Sequence, residues 1–293
     1  MSISREKIAE LLRSQAESNK FVFAPRIKAR VLGNALMSFA QDCSSDDVVA
    51  LYNANFLIGA GKSGALVSTQ GIYCDSFDNC SERDSGVTFV PFDGLCNVER
   101  ADEVNCWRMT YFTGKTLSVY CGDLTNPLIP FLFEVEKEEA LAVMEPALRY
   151  FDDKDSPLYA PEKAVAIWKK AYAYGFEALK KGAAYNLGLA YFNGKGVPRD
   201  KDKGIEYMMD CAEKGDQAAA EILNDVAPGW NLTAEQCLNE GLALNEKKQF
   251  TEAAGYFLSG TQKGSRSCMY HLGKLYRYGN GVEKDFKLAI KYY

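Results

Sequence analysis

The spacing of hydrophobic residues changes its period twice along the chain. Residues 3–17 repeat apolar positions at helical spacing with charges opposite, and residues 27–39 do so again after Pro25. Apolar residues that recur every three or four positions are typical of amphipathic helices. The first 44 residues therefore predict a helical hairpin that packs on the rest of the chain. A basic segment that docks on a partner or a membrane surface is the alternative.

The period shortens after residue 46, and short runs rich in Val, Thr and aromatic residues are separated by Gly, Asp and Asn up to residue 122. The runs are residues 47–52, 64–69, 71–74, 87–90, 108–112 and 116–120. Such runs predict a meander of antiparallel strands. Residues 136–151 return to helical spacing, with Pro146 inside the pattern, where it is expected to kink the helix. The apolar face of this helix is expected to comprise Leu141, Met144, Ala147, Leu148 and Phe151.

A small antiparallel sheet closed by one helix is the element order of a pleckstrin-homology-like barrel. Residues 58–73 resemble a pattern of small bacterial PH-like domains, in which a Gly-rich turn leads into a strand and a hairpin containing Thr69, Gly71, Ile72 and Tyr73. The resemblance covers about residues 45–152 and implies a sensing or docking module.

Gly61-Lys62-Ser63 looks like the end of a phosphate-binding loop. That motif needs a glycine where Phe56 stands, and a helix after the loop. The residues after Ser63 have the pattern of a strand. We therefore expect a flexible loop here rather than a nucleotide site.

An internal repeat follows residue 156, where the chain becomes wholly helical. Residues 185–200 and 270–285 align at an offset of 85 positions, which chance does not explain. The identical pairs include Tyr185 and Tyr270, Leu187 and Leu272, Gly188 and Gly273, Tyr191 and Tyr276, Gly194 and Gly279, Gly196 and Gly281, Val197 and Val282, and Asp200 and Asp285.

Each unit is predicted to be an antiparallel helix pair that must stack to bury its apolar face. Gly188 is expected to let the partner helix approach, Gly194 and Gly196 to end the first helix, and Asp200 to cap the region that follows. The repeated string resembles the Sel-one-like repeat, a relative of the tetratricopeptide repeat, and residues 234–264 resemble a plainer tetratricopeptide unit. The resemblance implies an α-solenoid whose groove binds a peptide or protein.

The residues expected to face that groove are the non-core positions of the first helices. On this reasoning the candidates are Asn186, Leu189, Asn193, His271, Lys274 and Arg277. A solvated face is the alternative for each of them. The apolar residues of the last helix lack a cover within the sequence, so we expect a C-terminal truncation or another covering surface.

Charge is distributed in three blocks. Residues 1–30 have a net charge of +4, residues 31–155 of −12 and residues 156–293 of +3. A block at −12 argues against nucleic acid and against anionic lipid as partners, so membrane contact is not expected. The opposite signs of the last two blocks predict an intramolecular contact between the solenoid and the PH-like domain.

The nine cysteines include no CxxC pair, and the only histidine is His271. We therefore expect no metal, cofactor or catalytic residue. Free thiols are the expected state, with a Cys74–Cys80 disulfide as the alternative. The N-terminus lacks the pattern of a secretory signal and no apolar run is long enough to span a membrane, which predicts a cytoplasmic protein.

The fold class expected is α+β, with three parts. Residues 1–44 form a helical arm, residues 45–155 the PH-like β-domain and residues 156–293 the repeat solenoid. The function expected is that of a non-catalytic scaffold or adaptor. A lipid-surface sensor and a Cys-dependent enzyme, in which a cysteine pairs with the histidine, are the alternatives.

Overall fold

The computed structural model describes residues 3–15, 21–53, 64–74, 89–101, 106–120, 125–152 and 154–293. Within them the chain divides into two compact units, Met1–Lys180 and Lys181–Tyr293. The three-part division at residues 44 and 155 stays a prediction. The phosphate-loop look-alike at residues 61–63 and Cys80 lie outside the described residues.

The first unit mixes helices and antiparallel strands. Its helices are α1 (Arg5–Gln15), α2 (Ala29–Ser38), α3 (Thr125–Asp152) and α4 (Pro161–Tyr174). Its strands are β1 (Phe21–Phe23), β2 (Val48–Asn53), β3 (Gly64–Ser68), β4 (Gly71–Cys74), β5 (Phe89–Pro91), β6 (Leu95–Arg100), β7 (Cys106–Tyr111) and β8 (Thr116–Tyr120).

Both faces of the first sheet are buried, because alternate residues of its strands point into two different cores. Ile72 of β4 joins α1, α3 and the second sheet in the larger core. Its neighbour Tyr73 packs with α2 and with Phe89 in the smaller one. Successive side chains of a strand point to opposite faces, so one short strand serves both cores.

The described strands form two sheets rather than one closed barrel. The first has the order β1-β2-β3-β4-β5 and the second the order β6-β7-β8, both antiparallel. No ladder joins β5 to β6 in the described residues, so the expected closed barrel is wrong as stated. Gly94, with φ +72°, lies in the turn between those two strands. An α+β arrangement with a small antiparallel sheet is confirmed.

The N-terminal segment contributes more than two helices. Ile8, Leu11 and Leu12 of α1 are buried in the larger core, as the apolar stripe predicted. The strand β1 was not predicted, since three residues are too few to show a period. It pairs antiparallel with β2, so Phe21 lies opposite Tyr52.

Helix α3 begins 11 residues before the predicted start and runs for 28 residues. It carries both Pro130 and Pro146 in its interior. Its N-terminal half fills the larger core through residues such as Phe131 and Leu132, and this packing outweighs the lost backbone hydrogen bonds. The predicted apolar face is wrong at Leu141 and Leu148, which are 64% and 43% exposed. Ala147 and Phe151 are buried as predicted.

The remaining helices continue without strands to the last residue. They are α5 (Glu177–Asn193), α6 (Lys201–Glu213), α7 (Gln217–Val226), α8 (Ala234–Glu246), α9 (Phe250–Gln262), α10 (Arg266–Tyr278) and α11 (Phe286–Tyr292). Thr233 and Gln236 form a capping box at the start of α8. None of the helices in the described residues combines the length and the apolar character that crossing a bilayer requires.

Candidate functional site

The two repeats of the second unit are built from the same ring contacts. Tyr191 of α5 stacks on Tyr207 of α6, with ring centroids 5.8 Å apart and an interplanar angle of 12°. Tyr276 of α10 stacks on Tyr292 of α11 at 5.7 Å and 16°. The same offset relates both pairs, so the sequence repeat is a repeat of tertiary contacts.

The connection inside each helix pair is also repeated. The backbone N–H of Asp200 donates to the Tyr191 carbonyl at 3.0 Å, and that of Asp285 donates to the Tyr276 carbonyl at 3.0 Å. Both aspartates then cap the second helix by accepting from backbone N–H groups of its first turn. The predicted capping role of Asp200 is confirmed.

Two glycines are required by close approach. A Cβ on Gly188 would lie 2.7 Å from the Met208 side chain, so the predicted role of Gly188 in helix approach is confirmed. Gly281 has φ +67°, and a Cβ there would lie 2.3 Å from the backbone of Phe250 and Thr251. Glycine alone therefore lets this turn lie against the start of α9.

Two adjoining open cavities of about 760 and 420 Å³ lie between the repeats and the helices that separate them, and both have Lys201, Tyr276 and Val282 in their walls. We call the pair the α6–α11 cleft. The larger cavity is also lined by Arg199, Asp202, Glu283, Lys284, Leu288 and Lys291. The smaller cavity is also lined by Asp225, Pro228, Glu252, Tyr256, Leu258 and Leu272. The cleft thus combines apolar walls with charges of both signs.

Asp202 fixes the geometry of the larger cavity. The Tyr292 hydroxyl donates to its carboxylate, with 2.7 Å to each oxygen, and the Lys291 ammonium forms an ion pair with the same group. The Gln262 amide donates to the Asp202 carbonyl at 3.3 Å. Residues of α9 and α11 are therefore held on the first turn of α6.

Burial and neighbouring charges shift the pKa values of three ionisable side chains that line the cleft. Burial lowers the pKa of Lys201, opposed by the Asp202 carboxylate and assisted by Arg199. Burial and the hydrogen bond to Asp202 raise the pKa of Tyr292 far above its usual range. Burial also raises the pKa of Tyr276. The Lys201 residue as a whole is exposed, so its ammonium group is open to pair with a carboxylate or carbonyl ligand.

The six predicted groove residues lie elsewhere on α5 and α10. Asn186 is half-buried and donates to the Gly182 carbonyl of its own helix at 3.0 Å. His271 stacks on Phe257 with centroids 5.1 Å apart, and burial and the Lys274 charge lower its pKa. Both side chains thus have partners inside the fold.

The other four positions are more open. Leu189 is half-buried, whereas Asn193, Lys274 and Arg277 are exposed. None of the six lines either cavity of the cleft in the described residues. Their role as a groove stays a prediction.

The residues that line the cleft are absent from the predicted site, because the repeat pattern gives them structural roles. Tyr276 and Val282 enter the prediction only as repeat identities, and Lys201 only follows the predicted cap Asp200. The sequence does contain a feature that points to the cleft, because Tyr191, Val197 and Asp200 recur as a set around the turn between the paired helices.

The cysteines are poor nucleophiles in the described residues. Burial raises the pKa of Cys96 and of Cys211 to about 12 each, so both thiols stay protonated at neutral pH. Cys74 is not part of a disulfide, which makes the alternative Cys74–Cys80 disulfide wrong. Cys106 is disulfide-bonded, which departs from the expectation that all thiols are free.

Two buried carboxyl groups in the first unit were also missed. Glu136 and Glu139, one turn apart on α3, are 4% and 2% exposed, and each has one oxygen without a hydrogen-bond partner in the described residues. Glu139 accepts from the Gly94 N–H at 3.2 Å. Burial raises the pKa of Glu136 to about 7. Within the described residues no three His, Cys, Asp or Glu side chains are grouped as a metal site requires.

The repeat geometry places the chain among the helical-hairpin repeat proteins. The Sel1 repeat family model matches residues 182–208 and 266–293, the two segments that carry the stacked tyrosines. The predicted resemblance to this repeat is confirmed. Proteins with Sel1 repeats generally mediate contacts between proteins.

Among curated proteins, the chain is similar to the ERAD-associated E3 ubiquitin-protein ligase component HRD3 of Candida glabrata. The two are 27% identical over 168 residues, which span 55% of this chain but only 18% of the relative. Among solved structures, a protective antigen of uropathogenic Escherichia coli with an SLR fold is 21% identical, with a TM-score of 0.26, covering 58% of this chain and 40% of the other. A Sel1 repeat protein from Oxalobacter formigenes is 23% identical, with a TM-score of 0.25, covering 59% and 63%.

Proposed function

We propose that the protein is a non-catalytic interaction module whose α6–α11 cleft binds an extended peptide segment of a partner protein. The observation that carries this proposal is the cleft itself, two adjoining cavities with a shared wall at Lys201, Tyr276 and Val282. A cleft with mixed walls can hold apolar side chains while its polar groups fix the direction of a peptide.

The distribution of charge within the cleft favours one arrangement of that peptide. Lys201 lies at the junction of the cavities and accommodates a carboxylate or a backbone carbonyl. Asp225 and Glu252 line the smaller cavity and favour a basic side chain or a free N–H. The preferred segment therefore carries an acidic residue at its centre, followed on one side by apolar and basic residues.

We include the six residues first predicted for the groove in this proposal as a second contact surface beside the cleft. They are less suited than the cleft to be the main binding site, because Asn186 and His271 already have partners within the fold. The open positions Lys274 and Arg277 are placed to contact a partner that extends beyond the cleft.

The first unit enters the proposal as a docking module. Its PH-like character, its cytoplasmic location and its contact with the solenoid rest on sequence alone, and they stay proposals. The charge of −12 over residues 31–155 supports a basic protein partner over an anionic lipid surface. Flotation of the full chain with phosphatidylserine vesicles would favour the lipid-sensing alternative.

The cleft is tested by panning a displayed peptide library against the full-length chain. Enriched peptides should bind the unaltered chain and lose at least about tenfold in affinity on Lys201→Glu, because the reversed charge repels their central carboxylate. Lys247→Glu is the matched control, since Lys247 is exposed on the C-cap of α8, outside both cavities. Peptides that respond equally to both variants, or to neither, would overturn the proposal.

A further inference from the structure

Two cysteines lie at the place where α8, α9 and α10 meet. Cys237 is the fourth residue of α8 and Cys268 is the third residue of α10. Both are free of disulfides, and both side chains are fully buried. Helices α8 and α10 each pack against α9 and contact one another. The fold therefore brings together two thiols that are distant in the sequence.

Gly260 of α9 leaves the space between the two cysteines open. A Cβ on Gly260 would lie 2.3 Å from the Cys268 sulfur, 3.1 Å from the Cys268 Cβ and 3.2 Å from the Cys237 Cβ. Both cysteine Cβ atoms thus lie close to a single point. Because a disulfide joins Cβ atoms about 3.5–4.5 Å apart, the two need to approach by at most about 2 Å.

The partners that the two sulfur atoms have in the reduced chain hold them weakly. The Cys237 thiol donates to the Gly229 carbonyl at 3.2 Å, and the Cys268 thiol donates to the Ala234 carbonyl at 4.0 Å. A thiol is a weak hydrogen-bond donor. Rotation of either side chain toward the other cysteine therefore loses little free energy.

Each cysteine also has a neighbour that stabilises its thiolate, the form that attacks a disulfide. Burial raises the pKa of both thiols, but the Lys263 charge opposes this at Cys237 and the Ser265 hydroxyl opposes it at Cys268. The Lys263 ammonium is held by the Trp230 carbonyl, to which it donates at 2.6 Å. Both cysteines lie near helix N-termini, where the peptide dipoles favour a negative charge.

We propose that Cys237 and Cys268 are a redox-sensitive pair, which forms an intramolecular disulfide when the chain meets a low-molecular-weight disulfide such as oxidised glutathione. One cysteine thiolate attacks a sulfur of the reagent and releases the first glutathione thiolate, which takes up a proton. The second cysteine, as its thiolate, attacks the cysteine sulfur of the mixed disulfide and releases the second glutathione. The two thiols lose two electrons and two protons, and the reagent is reduced to two molecules of glutathione.

The thiols react after a local opening, because neither is exposed in the closed fold. The first turn of a helix lacks part of its backbone hydrogen bonds and opens more readily than the interior. The disulfide then joins α8 to α10 covalently. This modification goes beyond the proposed function, since neither cysteine lines a cavity of the α6–α11 cleft.

The product is identified by treating the folded full chain with oxidised glutathione. Remaining thiols are blocked with N-ethylmaleimide in denaturant, and the peptides are analysed without reduction. A peptide pair joined through Cys237 and Cys268 should be the main product, and dithiothreitol should remove it. Hydrogen exchange of the first amides of α8 and α10 should slow at least about tenfold in the oxidised chain. A chain that gives glutathione adducts, other pairs or no change in place of this product would overturn the proposal.

The proximity of the two thiols is tested at equilibrium in a glutathione redox buffer. The equilibrium constant for the disulfide should be at least about tenfold larger in the folded chain than in concentrated urea, because the fold holds the thiols together. Equal constants, or a smaller constant in the folded chain, would overturn the proposal.

Gly260→Ala tests the open space between the cysteines, because its methyl group would lie against the Cys268 sulfur. It should lower the constant of the folded chain at least about tenfold, with circular dichroism as the check on folding. Gly182→Ala is the matched control, since an added methyl group on Gly182 meets open space, and it should leave the constant unchanged. Equal constants in the two folded variants would overturn the proposal.

Cys237→Ser retains a side chain of similar size and removes one partner. It should abolish both the cross-linked peptide and the slower hydrogen exchange after oxidation. If exchange still slows in this variant, another cysteine is responsible and the proposal is overturned.

Discussion

The hydroxyl of Tyr292 donates a hydrogen bond to the carboxylate of Asp202, 90 residues earlier in the chain, at 2.7 Å. Tyr292→Phe removes that donor and should lower the free energy of unfolding by about 1 kcal/mol. Urea unfolding of the full chain, followed by hydrogen exchange of α6 and α11, measures the loss. Tyr278→Phe is the control, since Tyr278 is 59% exposed. Equal losses in both variants would show that the bond to Asp202 contributes nothing.

Position 281, in the turn before α11, should not tolerate a residue with a side chain. Gly281→Ala places a Cβ 2.3 Å from backbone atoms of α9 and imposes a residue with φ +67°. We expect a loss of about 1–3 kcal/mol in thermal unfolding. Gly182→Ala should be neutral or stabilising, because Gly182 lies inside α5, where an added methyl group would meet no neighbouring side chain within 4 Å. Similar melting temperatures for the two variants would contradict this account of the turn.

The stability of the first unit should depend on pH through Glu136. Its pKa in the folded chain is about 7 because burial disfavours the charge, against an ordinary value of 4.5. The folded state therefore holds the proton that the unfolded state loses, and stability falls as the pH rises from about 4.5 to about 7. The protection factors of the α3 amides, which are exchange rates corrected for intrinsic base catalysis, should fall over that interval.

Glu136→Gln should flatten this pH dependence, because the amide stays neutral across the interval. Glu139 contributes in the same direction, since burial also raises its pKa. Glu145→Gln is the control, because the Glu145 side chain is two-thirds exposed. An unchanged pH profile in Glu136→Gln would show that this carboxyl group does not carry the effect.

The cysteines should differ in their reactivity toward an alkylating reagent. Buried thiols are protected while the chain is folded, and a disulfide-bonded cysteine does not react until it is reduced. Cys96 and Cys211 are buried, with pKa values near 12, so iodoacetamide should alkylate them only after denaturation. Cys106 should resist alkylation in denaturant until a reductant is added, because it is disulfide-bonded. Peptide mass spectrometry distinguishes these states. Labelling of Cys106 in denaturant alone would show that the bond is absent in solution.

The repeat was predictable because each of its residues has a local reason to recur. Leu272 and Tyr276 lie on one helix face, Gly281 has positive φ, and Asp285 caps the next helix. Such constraints act over a few residues and are therefore visible in the sequence. Ile290 is exposed, as expected for apolar residues of the last helix that lack a cover within the given sequence, whereas Tyr292 of the same helix is buried.

The sheet and the cleft depend on contacts between distant residues, which a pattern of polarity does not encode. The short strand β6 was not predicted, although it pairs with β7 and carries Val98 beside Glu136. The apolar face of α3 was assigned to its C-terminal half, whereas the core receives mainly its N-terminal half. Both errors have one cause, since tertiary packing decides which apolar positions are buried.

In the part of the chain that the structure describes, the outer strands of the first sheet, β1 and β5, have three residues each, and β5 ends in Pro91. A proline lacks a backbone donor, and so short a strand offers few free hydrogen-bonding groups. The sheet is therefore a poor template for strand addition from another chain. A partner that docks on this sheet must therefore recognise its side chains, and substitutions on the surface of the sheet, rather than changes in backbone pairing, will define which partner that is.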